Sequence, residues 1–235
     1  MTDLKFSKRI ETIAKYINNK STVADIGTDH GYLPLYLLLN NYDVDIIAAD
    51  IREDPLKKAR RNAKQAGVED RIRFCLSDGL EGLVKRADTY VICGMGGYVI
   101  MHILEKAIAG DTDIKDAEFV ISPHSDERVL REFLYKNGFR TEDEEMIRDK
   151  EFFYPIIHCV YDGEKREESE VIYSYGSQPL KEKQPALKNY LLREKRILSD
   201  VLEKLGESGS GNATDRAKEI KQKLLLNEEA QKFFI

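Results

Sequence analysis

Short apolar runs and amphipathic stretches alternate along the first 160 residues, and that alternation predicts the fold. Leu4, Ile10, Ile13, Ala14 and Ile17 recur at helical spacing, so a helix is predicted over residues 4–17. Residues 23–26 read as a first strand, and an apolar helix follows from about Leu33. D-I-I-A-A-D-I gives a buried strand ending at Asp50; Pro55 then opens a run of helix formers that Gly67 closes. R-I-R-F-C-L-S-D-G and T-Y-V-I-C-G-M-G-G supply a third and a fourth strand, each running into glycine. A helix over 98–109 leads to a fifth strand, E-F-V-I-S-P, and a helix over 126–137 is stopped by Gly138. Two strands near 141–147 and 153–161, joined by a loop at 148–152, complete the pattern as a hairpin. Strands alternating with helices predict an α/β fold with helices on both faces of a mostly parallel sheet, and the hairpin adds an antiparallel edge strand.

After Tyr161 the pattern changes. D-G-E-K-R-E-E-S-E is a polar linker, and a helical stripe of Leu187, Leu191, Leu198, Val201 and Leu205 then marks a long helix over about 181–205. G-E-S-G-S-G-N breaks it, and residues 214–234 give a second helix with Ala217, Ile220, Leu224 and Phe234 on one side. Two helices across a short Gly/Ser loop predict an α-helical coiled-coil hairpin, with Glu194 interrupting the stripe. The chain is thus divided into domains at 1–161 and 162–235. Such a hairpin serves either as a nucleic-acid-holding arm or as a packing and homodimerisation element, and the pattern leaves both open.

Composition adds limits. Hydrophobic residues make up 42% and charged residues 34% of the 235. No run approaches the roughly 18 apolar residues that span a bilayer, and the N-terminus lacks a signal-peptide core, so the protein is expected to be cytoplasmic and free of the membrane. Cys75, Cys93 and Cys159 each sit in an apolar run and read as buried free thiols; the four histidines show no ligand spacing with them, so no metal is expected. The net charge of −5 belongs wholly to the first 160 residues, with 23 basic against 28 acidic; from Tyr161 onward 14 balance 14. Residues 181–196 hold six basic and two acidic residues, either a nucleic-acid patch or an ordinary solvated helix face.

The chemistry concentrates in V-A-D-I-G-T-D-H-G-Y-L-P, residues 23–34. A strand, a glycine turn and a helix in succession present backbone N–H groups to a nucleotide-like ligand. The spacing G-x-x-x-G departs from the dinucleotide fingerprint G-x-G-x-x-G. Asp25, two residues before Gly27, suits a loop that meets the cationic amino-acid end of S-adenosylmethionine (SAM). Asp50, with Ile51 beside it, ends the second strand about 20 residues after the glycine turn, where a carboxylate takes ribose hydroxyls; that feature alone suits NAD equally well. Asp78-Gly79 either holds an adenine edge or makes a plain β-turn. Gly94, Met95 and Gly96 end the fourth strand in a turn that lets the backbone approach a ligand closely. The cofactor-binding set is therefore Asp25, Gly27, Gly31, Asp50, Ile51, Asp78, Gly79, Gly94, Met95 and Gly96. Tyr32, Tyr98 and Tyr154 either stack a base or pack at the rim. Neither an acidic nor an Asn-Pro-Pro-aromatic motif follows the fourth strand, which speaks against an exocyclic base amine as target.

With A-D-I-G-T-D-H-G-Y-L-P (24–34), A-A-D (48–50), S-D-G-L (77–80) and C-G-M-G-G (93–97), the chain resembles a bacterial tRNA methyltransferase family of the TrmK type, which methylates N1 of adenine 22 from SAM. The resemblance covers the first 160 residues in motif and the rest in architecture. It implies a Rossmann-like SAM methyltransferase core, SAM as cofactor with S-adenosylhomocysteine as product, and tRNA as partner. It also implies that the free N1 lone pair attacks in line, so that positive charge develops on the adenine. Asp29 would accept a hydrogen bond from the N6 amine and favour that cation; its other reading is a cap on the following helix. His30 orients Asp29 or merely packs. The base must leave its stack, costing a few kcal/mol. Lys8, Arg9 and Arg52 are expected to join the basic hairpin faces against RNA. Ser122-Pro123-His124 departs from the family's Gln-Pro-Asn, so no base-contacting role carries over to that loop. Two other classes stay open: a SAM methyltransferase of a small molecule or protein whose hairpin dimerises, and a nucleotide-binding domain such as an NAD enzyme.

Overall fold

The computed structural model describes residues 5–110, 112–208 and 211–235. Its strands are β1 (Thr22–Ile26), β2 (Asp45–Asp50), β3 (Ile72–Leu76), β4 (Thr89–Cys93), β5 (Glu118–Ser122), β6 (Phe139–Asp149) and β7 (Phe152–Tyr161). They form one sheet in the order β3-β2-β1-β4-β5-β7-β6. The first five are parallel; β7 runs antiparallel to both β5 and β6. The apolar runs have a direct cause, because side chains leave a strand alternately and both faces are covered. On one face Ala24, Ile92 and Phe119 pack with α4 (Gly97–Ala109) and α5 (Glu127–Lys136). On the other, Val23, Val91 and Val120 pack with α1 (Lys8–Ala14) and α2 (Tyr32–Leu39). The helix α3 (Glu53–Ala66) follows β2 and is closed by Gly67, as its sequence predicts.

Several boundaries differ from the pattern reading. The first helix is shorter, starting after an N-cap at Ser7, whose hydroxyl accepts from the Ile10 N–H; Leu4 lies outside the described residues. The hairpin strands are longer, meeting at a two-residue turn with Lys150 at φ 55°. Two short helices, α6 (Glu170–Tyr175) and α7 (Ser177–Lys181), were not predicted, and α8 (Pro185–Ser208) begins at a proline, the residue suited to a first turn, rather than at 181. The next helix, α9, spans Gly211–Gln231. Of the expected Gly/Ser break, residues 209–210 lie outside the described residues.

The C-terminal helices sit against the hairpin. Met146 and Phe153 share an apolar cluster with Val171, Leu180, Leu187, Leu191 and Ala230. Part of the outer edge of β6 is met by a side-chain amide: Gln184 accepts from the Met146 N–H and donates to the Glu144 carbonyl, so these two edge groups are paired without another strand. Between α8 and α9 the stripe is interrupted by a polar knot. Glu194 accepts from Tyr175 (2.7 Å), Tyr190 (3.1 Å) and Asn227 (2.8 Å), which satisfies the carboxylate that breaks the repeat. No helix among the described residues is long and apolar enough to cross a membrane.

Candidate active site

The strand order switches between β1 and β4, and a cleft of about 610 Å³ opens there at the carboxyl ends of the strands. That volume lies in the range of small-molecule sites. Asp25 and Gly27 from the β1 turn, Asp50 from β2, and Gly94 and Met95 from β4 all line it, with Asp29 at its rim. Gly27 and Gly31 adopt positive φ of 74° and 68° between β1 and α2, and Gly94 a φ of 79° after β4, which bends the backbone away from the strands. Gly31 is the N-cap of α2 and packs against Ala59. Among the described residues no side chain caps that helix, so Asp29 is not the capping residue that one reading offered.

The three carboxylates of the cleft differ in kind. Asp25 is 5% exposed; burial pushes its carboxyl up to about 6, with the Thr28 hydroxyl opposing and the Asp50 charge adding. It forms no ion pair with a cation among the described residues, so a buried acid faces the cleft without a countercharge. Asp50 is also buried, its Oδ1 accepting from the Arg52 N–H at 2.8 Å. Asp29, by contrast, leaves 74% of its side chain in solvent, with the His30 imidazole 3.5 Å away. His30 stacks on Tyr32 with ring centres 5.4 Å apart, and its carbonyl accepts from Asn62. The ring is thereby held beside the carboxylate.

Other expected residues lie outside the cleft lining. Ile51 is 61% exposed. Asp78 and Gly79 form a turn after β3 in which Asp78 pairs with Lys106 at 2.5 Å and Gly79 sits against Ile103. Gly96 is the N-cap of α4. The Ser122–Ser125 loop supports the glycine turn from behind: the Gly94 N–H donates to the Ser122 carbonyl, and the His124 N–H to the Met95 carbonyl. Cys93 is half-buried and lines the cleft, rather than being fully buried as expected; Cys75 and Cys159 are buried. Burial pushes the Cys93 thiol up to about 12, so it is no thiolate nucleophile at neutral pH.

Cations complete the cleft. Arg9, Arg52 and Lys58 line it. Lys8, on an exposed face of α1, is not in the lining. Arg9 is held over the Tyr154 ring at 4.7 Å, so the rim tyrosine carries a cation rather than an open face. Lys58 was missed from sequence. It stands one residue before the buried Ala59 in an amphipathic helix, where a lysine reads as ordinary solvated surface.

A family described as a methyltransferase domain matches residues 6–157. The tRNA (adenine(22)-N(1))-methyltransferase of Bacillus subtilis is 37% identical over 172 residues, which are 69% of this chain and 71% of the relative. Among solved structures, the B. subtilis M1A22 tRNA methyltransferase TrmK superposes with a TM-score of 0.81 at 28% identity, covering 97% of this chain and 99% of its own. TrmK of M. capricolum, solved with the natural cofactor product S-adenosyl-homocysteine, gives 0.81 at 26% identity, covering 97% and 98%.

Proposed function

The chain belongs to the tRNA (adenine(22)-N(1))-methyltransferase family, and on that premise we propose that it moves the methyl group of SAM to N1 of adenine 22 in tRNA. One observation carries the reading: two carboxylates buried in the cleft, and a third exposed at its rim. Buried Asp25 and Asp50 suit a cofactor with one cationic and one hydroxyl-bearing end; exposed Asp29 suits a base arriving from solvent.

The residues fit SAM. Asp25 lacks a countercharge that an α-ammonium supplies; Gly94 leaves room for the backbone to approach, and Gly27 turns the loop at a φ of 74° with the Met95 methyl against it. Asp50, with Ile51 beside it, would hold the ribose, and the Asp78-Gly79 turn the adenine end. Gly31, Met95 and Gly96 would shape the loops around it. When bound, SAM supplies an electrophilic methyl on a sulfonium. The adenine N1 lone pair needs no deprotonation at neutral pH, so the chain's task is placement and electrostatics. The N1–CH₃ bond forms as the S–CH₃ bond breaks, and the positive charge passes from sulfur to the base. Asp29 accepts from the N6 amine and stabilises that charge, with His30 and Tyr32 holding the carboxylate's neighbourhood.

The domain division follows the same logic. Residues 1–161 carry methyl transfer and 162–235 engage the RNA, in the cytoplasm where tRNA is modified. The alternative role of the helix pair, joining two copies, draws on Ile197 and Leu225, which stay 47% and 66% exposed. Sedimentation at micromolar concentration reads it directly, a dimer supporting that role.

The deciding experiment incubates unmodified tRNA with labelled SAM and maps the modified base. N1-methyladenine at position 22 is expected. Label at another position, or incorporation only into protein or a small molecule, overturns the proposal.

A further inference from the structure

The β6–β7 hairpin reaches beyond the sheet at the same end as the cleft. Because β7 runs antiparallel to β5, its first residues lie past the carboxyl end of β5, with Ile121 already opposite Ile157. Successive side chains of β7 then face opposite ways. Tyr154 turns towards α1 and takes Arg9 of the cleft; Phe153 turns towards α8 and packs its edge on Tyr190 at 5.6 Å. On the Phe153 side a groove of about 540 Å³ separates the hairpin turn from α8.

Three guanidinium groups line that groove, and two are already ordered. Arg148 lies 5.9 Å from the Phe153 ring centre and donates to the Lys150 carbonyl at 3.0 Å. Arg193 lies 6.0 Å from the same centre and donates to the Glu151 carbonyl at 2.6 Å. Arg196 forms no hydrogen bond or ion pair among the described residues. The Glu151 carboxylate, 3.6 Å from Arg148, offsets one charge, which leaves the groove net positive. A guanidinium has five N–H donors in a planar fork, so Arg148 and Arg193 each keep most of theirs while the ring and one carbonyl fix their direction. Cations ordered before binding lose less entropy on meeting an anion.

We propose that this groove is a second subsite for the tRNA, binding backbone phosphates with Arg148, Arg193 and Arg196 while the target base sits in the cleft. The inference rests on the reading that tRNA is the substrate. Guanidinium forks match phosphate oxygens two at a time. A polyanion with one base in the cleft passes Arg9 first, then crosses the ribbon edge to these three arginines, so cations lie along its path on both sides of β7. An isolated acidic peptide would have no reason to use both.

Two variants test it: Arg196→Glu, and the double change Arg193→Ala with Arg196→Ala. Binding of an unmodified tRNA transcript is followed by fluorescence anisotropy across a potassium chloride series. The expected result is weaker binding by roughly tenfold or more, with the slope of log Kd against log salt reduced by about one to two in the double variant. SAM affinity and melting temperature serve as fold controls. If Arg193 proves structural and the double variant melts early, Arg196→Glu decides alone, because that side chain holds nothing in place. Unchanged affinity and slope, in a protein whose wild type methylates tRNA, overturns the groove and leaves the activity standing. A wild type that neither binds nor methylates tRNA overturns both.

Discussion

The terminal methyl of Met95 lies where a side chain on Gly27 would stand: a Cβ built on Gly27 falls inside the van der Waals radius of Met95 Cε. The obstacle is the far end of a flexible side chain, so it can move, but the φ of 74° cannot be accepted freely by alanine. Gly27→Ala is expected to cost about 1–2 kcal/mol of stability from the backbone alone. It should also weaken SAM binding at least tenfold, because Met95 is driven into the cleft. Calorimetry and thermal melts separate the two effects. Adding Met95→Ala should recover binding but not stability; no recovery would show that Met95 is not the obstacle.

Asp29 stands apart from the two buried carboxylates of the cleft by its exposure, and its loss should read out differently. Asp29→Ala is expected to lower kcat by about 10²–10³, the scale of one electrostatic group acting on developing charge, with the Kd for SAM changed less than threefold. Single-turnover methylation and equilibrium titration give the two numbers. Equal losses in both would make Asp29 a binding or structural residue.

Asp25 gives a pH dependence with a definite sign. Its carboxyl is raised from an ordinary 3.8 to about 6, so in the ligand-free protein the ionised form costs stability above pH 6, and that cost is relieved as pH falls from about 6 towards 4. Attraction for a cationic amine needs the ionised form. SAM affinity should therefore hold above pH 6 and fall below it by up to about tenfold per pH unit. Asp25→Asn should bind weakly at all pH values and lose the break. Titrations between pH 5 and 8 test this, a flat wild-type profile counting against the assignment.

A buried ion pair fastens α6 to the core. Arg131 and Glu144, each 2% exposed, meet at 2.7 Å, and Arg131 also donates to the carbonyls of Tyr173 and Ser174. Glu144→Ala leaves a buried guanidinium without its counterion, at a cost of about 3–5 kcal/mol and a Tm lower by roughly 10 °C. Truncation after Tyr161 removes the two carbonyls and uncovers Met146, so the fragment 1–161 should melt well below the full chain. Urea melts of both check it, and equal stability would show that α6 is merely resting on the sheet.

The parallel strands were legible because residues such as Ile46, Ile47, Ala48 and Ala49 are buried on both faces, which turns a strand into an unbroken apolar word. The helices α6 and α7 were not. They have six and five residues, and α6 is anchored by Tyr173 and Tyr175, whose polar ends also bond to the Glu168 N–H and to Glu194. A tyrosine-anchored turn has no period to count. In the cleft, Asp25, Gly27, Asp29, Asp50, Gly94 and Met95 could be read locally, since each ends a strand or follows one. Lys58 and Pro55 enter from α3 through packing alone, and nothing in their neighbours announces it.

The place of β7 between β5 and β6 has a consequence for a chain made from its N-terminus. Once residues 22–122 have left the ribosome, the parallel strands can assemble, yet the outer edge of β5 keeps its N–H and C=O groups unpaired. β6 emerges next and cannot help, because among the described residues it pairs only with β7. The two form a local ribbon around a two-residue turn, and such hairpins close in microseconds. The ribbon therefore arrives ready-made and docks by its later strand. Nascent chains stalled before Tyr161 carry an open parallel edge, and the last strand of the sheet to be translated is the one that closes that edge to other chains.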